Sequence, residues 1–349
     1  MLFNYIMNPF DIFKDTFPQN HPYLHLQQGK YYNIKFRADK TKYEKVFAGG
    51  SPVFFCFEKI LPEKEFMCWA YVTNIKFLTS ALKDFIEVHP TVKEVYFCFD
   101  LSLFINRDSY IKDYQKEITL RELFDFLYSY TTLKYSIKQL DYNIFLFTEM
   151  IKEKIKNKNE PPKDYWYEHK RVFPYNKPRY DKLDIIYSFF GEIDELKQFC
   201  NDRGIKIKFC VMPYHALLLS KFSRTGDYEK YEEFKRTIAK HTDFIDFSYI
   251  NEYSSAPFPK DNSVVNEFLF FDIEHSYDFI GRKIIERMQG VQNNYGREIT
   301  SNNIEKILQK EREELDVYMK ANEAYIDDYI LNSQSKKDFS IWVKKKHFY

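Results

Sequence analysis

The chain has 349 residues, enough for one large domain, or a domain with an insertion, to bury a sizeable hydrophobic core. Its 52 basic and 51 acidic side chains give a formal net charge of +1, which argues against a dedicated nucleic-acid surface. No stretch approaches the roughly 18 apolar residues of a membrane-spanning helix, and Met1 to Met7 is too short for a signal-peptide core.

The first part of the chain predicts alternating strands and helices. Short apolar runs predict buried strands, and apolar residues at helical spacing predict a helix between two of them. The order strand, helix, strand favours a parallel crossover. The predicted elements are strands over 45–48, 65–71 and 92–99 and a helix over 75–88.

The same alternation returns after residue 187. One apolar helix face runs from Phe189 to Cys200, and Gly204 is a suitable residue to end that helix. Ser301 or Asn302 can cap a final long helix, with Glu305 in its first turn. The remaining predictions are strands over 205–212 and 244–247 and helices over 228–239 and 277–288.

Residues 101–187 differ in character, with a helical, aromatic-rich part followed by a proline-rich loop. We interpret them as an insertion or cap within a single α/β domain of residues 1–349, and residues 301–349 as a C-terminal helical extension. The five cysteines are odd in number and none has Cys-x-x-Cys spacing, so neither a disulfide framework nor a metal site is expected.

Gly49-Gly50-Ser51 follows the first predicted strand. In open α/β sheets the carboxyl ends of strands are where ligands bind. A serine hydroxyl becomes a nucleophile when a neighbouring base takes its proton, so Ser51 is a candidate for covalent catalysis. The same three residues also suit an ordinary turn.

Asp272 and His275 lie just before a predicted helix, far from Ser51 in the chain. In a serine triad, a carboxylate holds the imidazole base in one tautomer and stabilises the imidazolium. The Asp-x-x-His spacing allows one loop to deliver both groups. A surface histidine is the ordinary alternative, because this spacing is common.

In their order, these elements resemble the SGNH/GDSL hydrolase superfamily. Within this superfamily, the chain more closely resembles the SGNH-like proteins associated with bacterial cell-surface polysaccharides, of the alginate O-acetylation and teichoic-acid D-alanyl-transfer type. The resemblance covers most of the chain, although each piece is short. Its pieces are 8–13, Gly49-Gly50-Ser51, Val95 to Phe104 with Asp100, Pro213 to Ala216, Asp246 to Ser248, and Asp272 to His275 followed by Gly281.

The resemblance implies a three-layer α/β/α sandwich with a mainly parallel sheet. It also implies Ser51 as nucleophile, His275 as base and Asp272 as its orienting partner, with no cofactor. The family holds the oxyanion with a glycine after the second strand and an asparagine after the third, and this chain has neither. Gly50 and Asn74 are therefore the candidate residues for the oxyanion site.

Two further regions are candidates for substrate contact. His215 ends a predicted strand at the same edge as Ser51, so it either lines the substrate site or is structural. Trp166, Tyr167 and Arg171 mix aromatic and basic groups that suit a saccharide surface, and a loop packing its aromatics on the core is the alternative.

The expected function is an esterase or O-acyltransferase that acts on a bacterial cell-surface polysaccharide. The alternative is a catalytically inactive polysaccharide-binding or assembly module. Expected partners are an acyl-ester or polysaccharide substrate and envelope-complex proteins, without nucleic acid. The resemblance implies an extracytoplasmic location with a membrane anchor outside this chain, and a cytoplasmic location is the alternative.

Overall fold

The computed structural model describes residues 43–57, 60–62, 64–69, 74–105, 183–257, 269–270, 272–291 and 293–328, and five isolated residues between 128 and 140. The chain divides into two compact units. We call residues 44–79, 92–109 and 170–349 the sheet unit; residues 1–43, 80–91 and 110–169 form the other. In the part of the chain described, no helix is both long and apolar enough to cross a membrane.

Strands and helices alternate along the described part of the chain. A short 3-10 turn follows β3, and another precedes α3. The elements in chain order are β1 (Lys45–Gly49), α1 (Ser51–Phe57), β2 (Glu65–Trp69), α2 (Ile75–Val88), β3 (Glu94–Phe99), α3 (Gly191–Asn201), β4 (Lys206–Val211), α4 (Ala216–Thr225), α5 (Tyr228–His241), β5 (Phe244–Asp246), α6 (Asp278–Met288), β6 (Arg297–Ile299) and α7 (Ile304–Ala321).

The sheet has six strands in the order β2-β1-β3-β4-β5-β6. The first five are parallel, and β6 runs antiparallel to β5. A parallel sheet covered on both faces needs strands that are apolar on both sides. β3 meets this need, because every residue from Val95 to Phe99 is buried. The order reverses between β1 and β3, and such a switch point opens a crevice at the carboxyl ends of the strands.

Helices cover both faces of the sheet. On one face, α1 and α6 pack over Phe47, Tyr96 and Cys98 in a single apolar cluster. On the other face, Phe99 stacks on Phe209 with ring centroids 5.4 Å apart. Phe104 joins this layer to the helices, since its ring lies 4.4 Å from Phe190 and 5.3 Å from Phe234 of α5. The fold is therefore α/β with a mostly parallel sheet and helices on both sides.

Most predicted elements are confirmed within two or three residues. Gly204 has φ +65° and follows the end of α3, and the Ile205 N–H bonds the Cys200 carbonyl at 2.9 Å, as in a left-handed helix end. The predicted capping of α7 is wrong: its N-cap residue is Asn303, not Ser301 or Asn302, and Asn303 makes no side-chain capping bond. Three elements were not predicted: α1, α4 and β6.

The predicted domain organisation stays a prediction. Most of the insertion at 101–187 lies outside the described residues. The extension at 301–349 is described to residue 328, and α7 accounts for its first part.

α1 and α6 approach each other at backbone distance. A Cβ atom added to Gly281 would lie 2.1 Å from the Cys56 carbonyl oxygen. The Cys56 thiol also donates weakly to the Tyr277 carbonyl at 3.9 Å and accepts from the Ser276 hydroxyl at 3.3 Å. The segment that starts α6 is therefore held directly on α1.

Gly281→Ala is expected to destabilise the fold by about 1–3 kcal/mol, because its methyl group overlaps a backbone oxygen that only a helix shift can relieve. Chemical denaturation measures the change. Gly191→Ala is the matched control: it is also helical, and an added Cβ meets nothing within 4 Å. The control should be neutral or slightly stabilising. Equal stability of the two variants would show that the α1–α6 contact is not tight.

Candidate active site

The nucleophile candidate stands at the sheet's switch point. β1 ends at Gly49, and α1 begins at Ser51. Neither Gly49 nor Gly50 has a positive φ, so neither is needed for an unusual turn. They are needed for close packing instead. A Cβ on Gly49 would lie 2.3 Å from Val53 Cγ2, and a Cβ on Gly50 would lie 2.1 Å from Asp100 Oδ2.

The structure brings Ser51, His275 and Asp272 together. Ser51 Oγ lies 2.8 Å from His275 Nε2, although the two residues are 224 positions apart. His275 Nδ1 lies 2.8 Å from both carboxylate oxygens of Asp272. All three residues are 4–6% exposed. This is the connectivity of a serine triad, with the imidazole between a hydroxyl and a carboxylate.

Asp272 also builds the turn that carries the histidine. Its Oδ1 accepts the backbone N–H of Glu274 at 2.7 Å and that of His275 at 2.9 Å. Burial acts to raise the pKa of Asp272, but the interaction with His275 and these N–H bonds outweigh it and leave the pKa lowered. The carboxylate is therefore charged near neutral pH, as an imidazolium partner must be.

The imidazole has an aromatic neighbour. The centroid of the Phe55 ring lies 4.7 Å from that of His275, with 60° between the planes. Phe55 is four residues after Ser51 in α1, so both side chains share one helix face. The next residue in α1, Cys56, is fully buried, and burial raises the pKa of its thiol. The thiol therefore stays protonated and acts as a packing group.

Asp100 follows β3 and faces Gly50 across the switch point. Its Oδ1 accepts the Ser102 N–H at 2.8 Å and also the Ser102 hydroxyl. The backbone N–H of Leu101, the residue between Asp100 and Ser102, donates to the Tyr214 hydroxyl at 2.8 Å. A buried aspartate thus occupies the loop where the SGNH/GDSL superfamily, which the sequence resembles, has an asparagine.

Asn74 lies after β2 and immediately before α2, which begins at Ile75. Its side-chain oxygen accepts the Phe77 N–H at 3.2 Å, which makes it a helix cap. Its amide nitrogen is the end suited to donate to an oxyanion. Its predicted role in the oxyanion site stays a prediction.

Of the two alternatives for His215, a substrate-lining or a structural residue, its surroundings favour the structural one. Its side chain is 0% exposed. Nδ1 accepts the Leu217 N–H at 3.1 Å, and Nε2 lies 2.8 Å from the Ala256 carbonyl. Its own N–H bonds the Ile273 carbonyl at 3.0 Å. His215 therefore ties the start of α4 to two neighbouring loops, one of them the loop of the triad.

Three predicted contact residues, Trp166, Tyr167 and Arg171, lie outside the described residues. Phe55 and Asp100 border the site and were not predicted as site residues. Phe55 lies four residues after Ser51, and this spacing places two side chains on the same face only in a helix. Because the sequence pattern did not predict α1, the spacing gave no indication of Phe55. Across the described ranges, no group of three or more His, Cys, Asp or Glu side chains is placed to hold a metal ion.

Comparison of the chain with family models, curated proteins and solved structures found no match.

The buried His215 predicts a pH-dependent stability. Burial lowers its pKa to about 4, against which the Ala256 hydrogen bond acts weakly. The ordinary pKa of histidine is 6.5. Between pH 6.5 and a pH of about 4, the unfolded chain therefore binds a proton at this residue that the folded chain does not. Stability should therefore fall as pH falls through this range, by on the order of 3 kcal/mol.

Urea denaturation between pH 7 and pH 4 measures this loss. His215→Asn keeps an acceptor for the Leu217 N–H and removes the titrating ring. Its absolute stability will be lower at pH 7, but its stability should fall less steeply with pH than that of the wild type. Other groups titrate equally in both proteins, so parallel curves would contradict a neutral, buried His215.

Proposed function

We propose that this chain is an SGNH-like serine esterase or O-acyltransferase that acts on a bacterial cell-surface polysaccharide. The observation that carries the proposal is the hydrogen-bonded series from Ser51 Oγ through His275 to Asp272, with every link at 2.8 Å. The location of Ser51 at the switch point supports it too, because ligands bind at such points in open α/β sheets.

The reaction follows from the geometry. His275 Nε2 takes the Ser51 proton as Oγ attacks the acyl carbon. Asp272 accepts a hydrogen bond from Nδ1–H and, as a carboxylate, stabilises the imidazolium that forms. His275 then gives its proton to the departing alcohol oxygen, which leaves an acyl group on Ser51. Water completes hydrolysis, and a second hydroxyl completes transfer.

The oxyanion needs donors near Ser51. N–H groups in the first turn of a helix have no acceptor within the helix. Pro52 has no N–H, and the Val53 N–H bonds the Gly50 carbonyl at 3.1 Å. The Ser51 N–H is therefore the donor that this turn supplies. Asn74 Nδ2 is the second donor in this proposal.

A catalytically inactive binding or assembly module is the second candidate. The observation that favours it is Asp100, whose carboxylate lies against Gly50 where the related family has an asparagine. A negative group so near a developing oxyanion opposes its charge. The saccharide, the envelope partners and the extracytoplasmic location rest on the resemblance and belong to the proposal in either form.

The enzyme form predicts that purified protein hydrolyses acetyl esters and is labelled at Ser51 by a serine-reactive phosphonate. Ser51→Ala should lose both, with activity at least about 1,000-fold lower. Ser301→Ala, at an exposed serine, is the control and should match wild type. Wild type that neither hydrolyses esters nor is labelled would favour the binding module.

Asp272→Asn should lower kcat/KM by about 100- to 10,000-fold, since an amide no longer stabilises the imidazolium and permits the wrong tautomer. Ester hydrolysis measures the effect, and circular dichroism checks that the turn at Glu274 and His275 still folds. Asp243→Asn, at an exposed position, is the matched control. Activity within threefold of wild type would remove Asp272 from the mechanism.

A further inference from the structure

Phe55 differs from the rest of α1. The helix has seven residues, and all of them except Phe55 are buried. The Phe55 ring is partly exposed and packs on the His275 imidazole with centroids 4.7 Å apart. Phe54 holds it from the side, edge to face, at 5.4 Å and 81°. A partly exposed aromatic ring thus lies against the imidazole of the proposed base.

The chemistry assigns a role to the region beside His275. When the acyl bond to Ser51 Oγ forms, the bond from the acyl carbon to the alcohol oxygen breaks. That oxygen takes the proton that Nε2 received from Ser51, so the alcohol must lie next to Nε2. Because Phe55 packs on the same imidazole, the alcohol half of the ester borders this ring. The acyl half extends from Ser51 Oγ, away from Nε2.

We propose that Phe55 determines specificity for the alcohol half of the ester, as an apolar wall that selects alcohols carried on a ring. This inference rests on the proposed function and assigns a subsite to it. A ring-shaped alcohol presents a C–H face that an aromatic side chain can cover, whereas a short linear alcohol covers little of it. The subsite fits a hydroxyl on a saccharide or another saturated ring.

The test compares esters that differ in one half only: cyclohexyl acetate, ethyl acetate and ethyl butyrate. In Phe55→Ala, the kcat/KM ratio of cyclohexyl acetate to ethyl acetate should fall about tenfold. The ratio of ethyl butyrate to ethyl acetate should stay within about twofold. Phe55→Leu keeps an apolar wall. Its kcat/KM ratio of cyclohexyl acetate to ethyl acetate should lie between the ratios of wild type and Phe55→Ala. Tyr187→Ala, at a residue 49% exposed, is the control for loss of a surface aromatic.

Two outcomes overturn the inference. An equal loss for all three esters would mean that Phe55 only positions His275. A change that follows the acyl chain would place Phe55 on the opposite half of the ester.

A binding measurement separates this inference from the proposed function. In Ser51→Ala labelled with ¹³C-histidine, the His275 Cε1 resonance is followed during titration with cyclohexanol and with ethanol. Cyclohexanol should saturate the shift at a concentration about tenfold lower, and adding Phe55→Ala should remove this preference. If wild type is inactive but the preference is present, the proposed function fails and the subsite stands. If both alcohols behave alike in this titration, the subsite is absent whether or not the protein is active.

Discussion

The close contact between α1 and α6 is the constraint on which the site depends. Ser51 begins α1, and His275 lies three residues before α6. Gly281 lets the second helix reach the Cys56 carbonyl of the first, and Ser276 and Tyr277 add two contacts to the Cys56 thiol. The hydroxyl and the imidazole lie 2.8 Å apart because this helix packing acts together with the turn that Asp272 builds. Gly281, a small residue within α6, thereby helps to set the geometry of the candidate site.

The two glycines before Ser51 serve a related purpose on the sheet side. Gly49 lies against Val53 and the Cys98 carbonyl, and Gly50 lies against Asp100. Side chains there would push α1 away from β3 and open the switch point. The same closeness places the Asp100 side chain next to Gly50, one residue before Ser51. Ser102 donates two hydrogen bonds to this side chain. The electrostatics around Ser51 therefore differ from those that an asparagine would give.

Sequence patterns predicted the parallel core well, because buried strands such as β3 are continuous apolar runs and α2 and α5 have clear helical spacing. They missed α1, which has seven residues, mostly buried, and no polar face to reveal its period. They missed β6, whose three residues pair only with β5. Strand-end position placed His215 at the right edge but could not give the direction of its ring, which neighbouring loops decide.

The same limit applies to the triad. An aspartate that accepts a backbone N–H two residues on follows β3 as Asp100, ends β5 as Asp246, and occurs again as Asp272. In each case the carboxylate first satisfies the local turn. Asp246 also pairs with the buried Lys235, a structural use of the remaining oxygen. At Asp272 the turn places an imidazole three residues on, and the carboxylate that shapes the backbone also binds the imidazole Nδ1. Because the turn needs only the aspartate, the histidine and the packing of α6 distinguish the candidate triad from an ordinary turn.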